Sequence, residues 1–282
     1  MAGGGVKVAF QAGVLQVWLD EAGLTFDHAD GASGGVFNLA MYCQGMSGTE
    51  MADNWRKFRP LKGVSINWRE LAKLYFAESL MTYGAFRANV LRSLWGLDWN
   101  AIRSTPKEAT FNLYNFSRQE TVVLTADQMD EDRLVSAVSL PMWFPSVKID
   151  GDQYIDAVYA TDANLDEAIR RGADELWIIW TVSELGHWKG GFIAEYFQII
   201  EASANSSLRD PLRRIADNNA AIGRGEPGAF GRHIDVKMLQ AEVPIHYLFN
   251  FTQRRMAHGV ELGVEAARRW CADQGIAIKT PR

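Results

Sequence analysis

Apolar residues near the start of the chain recur at helical spacing. The shared face is formed by Phe10, Val14, Leu15 and Trp18. This spacing predicts a helix over 9–22 that ends at Gly23. A short, weakly strand-like run over 25–29 then leads through a glycine-rich turn into a second predicted helix over 36–44. Ser33 therefore lies at a strand-to-helix turn.

Helical spacing continues over 52–106, in a segment rich in arginine and aromatic residues. A cap that lines an acyl channel and an ordinary helical layer over a sheet both fit this segment, and the pattern does not choose between them. Beyond it, the pattern predicts a strand pair over 110–116 and 121–124, a capped helix over 130–139 and a turn-bounded unit over 147–159.

The second half of the chain alternates between strand-like and helical patterns. A continuous apolar run over 176–182 is typical of a strand buried on both faces. We further predict a helical insertion over 185–231, late strands over 234–238 and 245–251, and a closing helix over 252–273. This alternation favours an α/β fold, a three-layer αβα sandwich with a largely parallel central sheet, as one domain over 1–282.

Composition and charge exclude several classes of protein. The 282 residues carry a formal charge of -5 and form no basic stripe, so we expect no nucleic-acid partner. The start lacks the pattern of a secretory signal, and no apolar run is long enough for a membrane span. Cys43 and Cys271 fit helical apolar spacing and read as buried thiols, which favours a cytoplasmic location. No motif indicates a cofactor or a metal site.

Gly31-Ala32-Ser33-Gly34-Gly35 has the G-x-S-x-G pattern between a strand-like run and a helix. Glycines beside the serine permit a strained turn that exposes its hydroxyl, and the helix start supplies backbone N–H groups. A plain glycine-rich turn with a serine cap has the same appearance. The motif therefore predicts a nucleophile only in combination with other signals.

Two further signals accompany the serine. Gly3, Gly4 and Gly5 precede Lys7, and backbone amides of such a loop can converge on an anion, although a glycine run near a chain start is often just flexible. Asp156 follows a short strand-like run and enters a loop, where an isolated aspartate is usually a turn residue. Their order along the chain gives them a shared meaning.

Taken together, these features resemble the patatin-like phospholipase family over most of the chain. The resemblance rests on the glycine loop with Lys7, the helix to Gly23, the serine turn, the segment from Ser139 to Pro145, the aspartate turn at Asp156, and the downstream Ala168-Ile169-x-x-Gly172-Ala173 pattern before a strand. The match in order and spacing is more specific than any one motif.

The resemblance implies a phospholipase A-like or lysophospholipase-like carboxylic ester hydrolase with a Ser33–Asp156 dyad and no catalytic histidine. It implies an oxyanion hole from Gly3, Gly4 and Gly5, to which we add Lys7 and Gly34 as candidates. The implied partner is a lipid ester, with peripheral contact to a membrane surface.

The dyad also imposes a chemical requirement. A free aspartate has a pKa of about 3.9, so a base of this type needs a desolvated pocket that raises its proton affinity. We expect the apolar wall of that pocket from Phe144, Tyr154, Ile155 and Tyr159.

Three departures from the family pattern define further expectations. Only Met1 and Ala2 precede the glycine loop where the family has a buried strand, so we expect a truncated start or a less well-ordered loop. Val8 replaces a glycine, and a β-branched residue does not easily adopt positive φ. Ala157 and Val158 replace small residues after the aspartate, which costs about 1 kcal/mol or more if that turn is left-handed.

Two alternatives stay open at this stage. An ordinary α/β-hydrolase would combine Ser33 with an acid and one of four histidines: His187, His233, His246 or His258. A lipid-binding or interaction protein would retain the fold without the chemistry, with some of the ten tryptophans forming an interfacial surface. For most of these tryptophans a place in the core is the simpler interpretation.

Overall fold

The structure is a computed structural model and describes residues 1–183, 188, 190–243 and 252–279. Its helices are α1 Val8–Leu15, α2 Gly35–Cys43, α3 Gly48–Lys57, α4 Pro60–Gly63, α5 Trp68–Leu71, α6 Gly84–Phe86, α7 Trp99–Arg103, α8 Glu131–Ser136, α9 Leu165–Arg170, α10 Phe192–Gly223 and α11 Gln253–Asp273. Shorter or wider helical turns cover Gly5–Lys7, Gln16–Glu21, Leu74–Phe76, Arg87–Leu94, Ala126–Gln128 and Ala157–Tyr159.

The strands form three sheets. They are β1 His28–Ala32, β2 Ser65–Ile66, β3 Met81–Thr82, β4 Glu108–Asn115, β5 Glu120–Thr125, β6 Val147–Ile149, β7 Asp152–Asp156, β8 Glu175–Trp180 and β9 Asp235–Gln240. β1, β4, β5, β6 and β7 make up one sheet, while β2 pairs with β3 and β8 pairs with β9. The predicted α/β class is confirmed, with sheets of mixed direction: β1–β4 and β8–β9 are parallel, and the other pairs are antiparallel.

The register of β4 determines where β1 and β7 end. One edge of β4 pairs with β5, where Asn112 lies opposite Val123. The other edge pairs first with β1, up to Ala32 opposite Asn112, and then with β7, where Asp156 lies opposite Leu113. Because β1 runs parallel and β7 antiparallel to β4, their carboxyl ends meet on this edge.

Most predicted elements are confirmed, with shifted boundaries. The strand pair β4–β5, the apolar strand β8 and the closing helix α11 lie where the pattern placed them. The strand predicted over 25–29 instead occupies His28–Ala32. Its polar side chains are satisfied by the neighbouring strand: Asp30 accepts hydrogen bonds from Thr110 and Asn112.

The segment over 52–106 is less regular than the predicted helical run. The β2–β3 pair interrupts a series of short helices, two of which begin at local signals: a proline at position 60 and an asparagine N-cap at position 67. Of the helical insertion predicted over 185–231, the described part is mainly α10. Residues 184–187 and 189 of that region, and the strand predicted over 245–251, lie outside the described residues.

Two hydrophobic clusters hold the elements together. The larger contains α1, α2, α3 and α11 with inner residues of β4, and the smaller joins β8 to α9 and α10. Five tryptophans are almost fully enclosed, at positions 18, 55, 95, 143 and 180, which confirms a core location for much of the tryptophan content. Both cysteines are buried free thiols.

β1 and β8 face each other across a cleft. It is lined by residues of the 24–30 and 174–179 segments. The first residues of the chain enter this region, where the Met1 carbonyl accepts a hydrogen bond from the Ala32 amide at 3.3 Å.

In the part of the chain that the structure describes, no helix is long and apolar enough to cross a bilayer.

Candidate active site

Ser33 lies on the sharp turn between β1 and α2. Its φ of 46° is in the left-handed region, which is strained for a serine and typical of a nucleophile elbow. The turn also brings Gly35 against the chain start, where a Cβ on Gly35 would lie 2.2 Å from the Met1 carbonyl oxygen. A larger residue there would displace the elbow.

Asp156 reaches the serine because β1 and β7 end side by side. The Ser33 hydroxyl donates to Oδ2 of Asp156 at 2.7 Å, and the Val158 amide donates to Oδ1 at 2.9 Å. The Asp156 amide in turn donates to the Ser139 carbonyl at 3.0 Å. Both carboxylate oxygens of Asp156 therefore accept a hydrogen bond, and its backbone amide is held by the Ser139 carbonyl.

The environment of Asp156 changes its acidity. The residue is 1% exposed, and burial raises the pKa of its carboxyl from 3.8 to about 7, although hydrogen bonds from Ser33 and Val158 act in the opposite direction. A base with this proton affinity can accept a hydroxyl proton at neutral pH. The predicted desolvated pocket is thus present.

The cavity beside Ser33 has an apolar lining from Leu140, Val158, Val182, Phe197, Ile200 and Ala204. The four side chains predicted to form the wall around Asp156 do not line this cavity. Ile155 alternates to the other face of β7 from Asp156, and Phe144 stacks on Tyr83 with ring centroids 4.5 Å apart.

The glycine loop lies beside the serine and is held by several hydrogen bonds. The Gly3 amide donates to the main-chain carbonyl of Asp162 at 3.2 Å, and the Thr181 hydroxyl donates to the Gly3 carbonyl at 3.1 Å. Gly4 has a φ of 137°, a conformation that favours glycine. The loop is anchored by these contacts, contrary to the expected weak order.

Two of the three departures from the family pattern, at Val8 and after Asp156, fit the structure without strain. Val8 has a φ of -66° and continues into α1, so no positive φ is required of it. Ala157 and Val158 lie in a right-handed turn that Asp156 itself caps. The left-handed turn considered after the aspartate is not present, and the associated cost does not arise.

The candidate oxyanion groups occupy different positions. Gly4 and Gly5 line the cavity that contains Ser33, and the Gly34 amide precedes α2. In the described residues no acceptor is found for these three amides, whereas that of Gly3 is already engaged. The Lys7 ammonium is buried in the turn after the loop and donates to Glu201 at 3.4 Å. Burial lowers the pKa of Lys7, and the opposing effect of Glu201 is smaller.

None of the described residues around Ser33 is a histidine. His233 and His258 are exposed, and His28 bonds to Thr110 in the sheet. The other two histidines of the alternative triad, at positions 187 and 246, lie outside the described residues. The hydrogen-bond partner of Ser33 is Asp156.

Sequence reasoning did not identify two charged side chains that line this cavity, Asp162 and Glu201. Asp162 lies six residues after Asp156. This closeness to the aspartate turn was the one feature of the sequence that could have indicated a place in the site. Glu201 lies within α10, where nothing in the helical pattern distinguishes it from a surface glutamate.

The family described as patatin-like phospholipase matches residues 1–169. No curated protein matches the chain. Among solved structures, VipD from Legionella pneumophila is similar with 13% sequence identity and a TM-score of 0.46; the aligned region covers 96% of this chain and 66% of VipD.

The family match includes the glycine loop, the Ser33 elbow and the Asp156 turn in one continuous region, and family members are typically lipid acyl hydrolases. The chain therefore belongs to the patatin-like phospholipase family.

Proposed function

We propose that this protein hydrolyses the acyl ester of a glycerophospholipid or lysophospholipid through an acyl-enzyme on Ser33. The observation that carries the proposal is the buried 2.7 Å hydrogen bond from the Ser33 hydroxyl to Asp156. Nucleophile and base are in direct contact, as this chemistry requires. Family membership supports lipid acyl hydrolysis, and the choice of a phospholipid rests on the family alone.

In the first step the Ser33 oxygen adds to the ester carbonyl carbon while Asp156 takes the hydroxyl proton. Collapse of the tetrahedral intermediate breaks the bond to the alcohol, which leaves with the proton from Asp156. The raised pKa of Asp156, to about 7, suits both roles, because the group accepts and returns a proton near neutral pH.

In the second step a water molecule takes the place of the alcohol. Asp156 removes a proton from this water as it attacks the acyl carbon, and then returns the proton to the Ser33 oxygen as the fatty acid leaves. The Val158 amide holds Oδ1 of Asp156 throughout, so that Oδ2 stays directed at the serine. One carboxyl group thereby serves both half-reactions.

We assign the oxyanion hole to the amides of Gly4, Gly5 and Gly34. Gly3, the other glycine of the predicted loop, supports it through its engaged amide and carbonyl. A donor of this kind typically contributes about 2.7 to 4 kcal/mol to transition-state stabilisation. Lys7 was also predicted as an oxyanion-hole residue, and its ammonium forms an ion pair with Glu201.

The proposed substrate arrives from a lipid surface, and an exposed apolar segment supports peripheral contact. Leu74, Tyr75 and Phe76 are 82%, 93% and 79% exposed. The chain just after this segment lies near the active site, because the Leu80 amide donates to the Met142 carbonyl at 2.8 Å and Leu140, two residues before Met142, lines the serine cavity. A cytoplasmic location, which two free buried cysteines fit, is part of the same proposal.

The test is covalent labelling with a fluorophosphonate probe followed by peptide mapping. The expected adduct is on Ser33, absent in Ser33→Ala and strongly reduced in Asp156→Asn. Ser93→Ala, which removes an exposed serine, is the matched control and should label like wild type. Equal hydrolysis of a short p-nitrophenyl ester by wild type and Ser33→Ala would instead favour a lipid-binding protein without this chemistry.

A further inference from the structure

Asp162 is a second buried carboxyl group at the active site. It is 1% exposed, and neither side-chain oxygen has a hydrogen-bond partner in the described residues. A Cβ on Gly3 would lie 2.0 Å from Oδ1 of Asp162 and 2.7 Å from Cβ of Ser33. The two side chains therefore meet across the Gly3 backbone.

The cavity around Asp162 contains the groups of the proposed reaction. Asp162 lines it together with Ser33, Gly4 and Gly5, while much of the remaining lining is apolar. An ionised carboxylate without partners is very unfavourable in such surroundings, whereas a neutral carboxylic acid is tolerated. A neutral Asp162 has an O–H group that needs an acceptor, which the carbonyl oxygen of a bound ester provides.

We propose that Asp162 is a further catalytic group that donates a hydrogen bond to the ester carbonyl oxygen as Ser33 adds to the carbonyl carbon. The inference rests on the proposed function. As the Ser33–carbon bond forms, the carbonyl π electrons move to the oxygen, and Asp156 takes the serine proton. Asp162 keeps its own proton and stabilises the oxyanion until the carbonyl re-forms and the alcohol leaves.

The charged groups around Asp162 are consistent with this role. Burial raises the pKa of its carboxyl to about 8, and the negative charge of Asp156 acts in the same direction. The nearby Gly3 amide and the Met1 ammonium lower it, but less than burial raises it. The Lys7–Glu201 ion pair reaches the same cavity through Glu201.

The two aspartates thus have separate roles. Asp156 has both oxygens occupied and contacts the serine hydroxyl, which suits a base. Asp162 has both oxygens unoccupied and lies on the side of the glycine loop, which suits a donor to the oxyanion. Enzymes use carboxyl pairs with different environments in this way, including neutral acids that donate to an oxyanion.

The experiment compares Asp162→Leu, which has no donor, with Asp162→Asn, which keeps an N–H donor and does not titrate. Hydrolysis of a soluble p-nitrophenyl ester is followed from about pH 6 to about 9, and thermal unfolding verifies folding. Asp150→Asn, at a side chain that is 89% exposed, is the matched control. Ser33→Ala gives the background.

We expect Asp162→Leu to lower kcat about 100- to 1000-fold with a smaller change in KM, as for loss of one oxyanion donor. Asp162→Asn should stay within about tenfold of wild type and lose the alkaline decline, whose midpoint in wild type is expected at about 8. A Leu variant within about threefold of wild type would overturn the inference, as would an Asn variant that keeps the alkaline decline.

The second readout applies even if Asp162→Leu does not fold, because the pH profile of Asp162→Asn then decides alone. Failure of the proposed function has a different signature. In that case wild type shows no hydrolysis above the Ser33→Ala background. That result would contradict both the proposed reaction at Ser33 and the role of Asp162.

Discussion

Ala32 and Asp156 end two strands that converge on the same edge of β4, opposite its adjacent residues Asn112 and Leu113. The residue after Ala32 is Ser33, so sheet register alone brings the serine to the carboxylate. A one-residue slip of β7 would turn Asp156 to the other face of the sheet. The contact between Ser33 and Asp156 therefore follows from the register of the sheet.

The first prediction concerns the pH dependence of hydrolysis. In the proposed reaction Asp156 is the base, which requires its ionised form, and burial raises its pKa to about 7. We expect kcat/KM for a soluble ester to rise with pH on an acid limb centred near pH 7, before the alkaline decline near pH 8 that the proposed role of Asp162 implies. A rise centred near pH 4, as for an exposed aspartate, would contradict a buried base.

The second prediction concerns stability. Because the folded-state pKa values of Asp156 and Asp162 are raised above 3.8, the protonated forms favour folding. That contribution is complete below about pH 4 and is lost as pH rises through about 7 to 8. The double variant Asp156→Asn/Asp162→Asn lacks this loss.

The measurement is urea unfolding of wild type and the double variant at several pH values. The unfolding free energy of wild type, relative to the variant, should fall between pH 5 and 8 by at most roughly 1.4 kcal/mol per pH unit and group. A difference that does not vary with pH would show that neither carboxyl group changes its proton affinity on folding.

The third prediction concerns a polar group beneath the elbow. Asn112 is fully buried, donates to Asp30 and to the Gly31 carbonyl at 2.9 Å, and accepts from Asn164. Asn112→Leu removes these hydrogen bonds from the network and leaves Thr110 as the remaining side-chain donor to Asp30 that lies on β4. We expect it to lower the unfolding free energy by about 2 to 4 kcal/mol and to reduce Ser33 labelling.

Asn100→Leu, at an exposed site in α7, is the matched control for this substitution and should change stability by less than about 0.5 kcal/mol. If Asn112→Leu unfolds with the wild-type free energy in urea, the network does not support the elbow.

The sequence was sufficient to predict the order of the chemical groups. Ser33 and Asp156 each lie at the end of a short strand, and the glycines on both sides of Ser33 form a recognisable motif. Long elements with consistent periodicity, such as α11, were predicted nearly to the residue because their apolar face is repeated over several turns. Local signals were adequate for these features.

Other features depend on contacts that distant residues make after folding. β1 contains His28, Asp30 and Gly31, which do not alternate like a strand, and is stabilised by partners on β4. The Asp162 carboxyl acquires its position from the Gly3 backbone, far away in sequence. No local pattern encodes either relationship, so the strand boundary was misplaced and the second aspartate was missed.

The fourth prediction concerns the glycine loop. Gly4 has a φ of 137°, and a Cβ there would lie 2.4 Å from the Thr181 hydroxyl oxygen. Gly4→Ala should displace the proposed oxyanion amides and lower kcat by about 100-fold or more. Gly45→Ala is the matched control, since Gly45 also has a positive φ, of 96°, but has open space around it.

Both substitutions introduce backbone strain of about 1 kcal/mol, and Gly4→Ala adds the contact with Thr181, so thermal unfolding should shift for both variants and further for Gly4→Ala. Only Gly4→Ala should reduce ester hydrolysis. Equal activity of the two variants would remove the loop from the reaction.

The fifth prediction concerns the exposed apolar segment around Leu74, Tyr75 and Phe76. Its burial in a lipid interface should contribute roughly 1 kcal/mol or more per side chain. Lys73 on the same stretch pairs with Glu70, so the apolar side chains carry the expected contact. The triple variant Leu74→Ser/Tyr75→Ser/Phe76→Ser should therefore lose about 100-fold or more in partitioning onto phospholipid vesicles, measured by co-sedimentation.

The same variant should hydrolyse a soluble ester at nearly the wild-type rate, because these side chains lie outside the Ser33 cavity. Phe116→Ser, at a 54% exposed aromatic on the β4–β5 turn, is the control and should leave vesicle binding unchanged. If the control weakens binding as much as the triple variant, contact with lipid is spread over the surface. Loss of vesicle binding with retained soluble activity would locate interfacial contact in this segment and separate it from the chemistry.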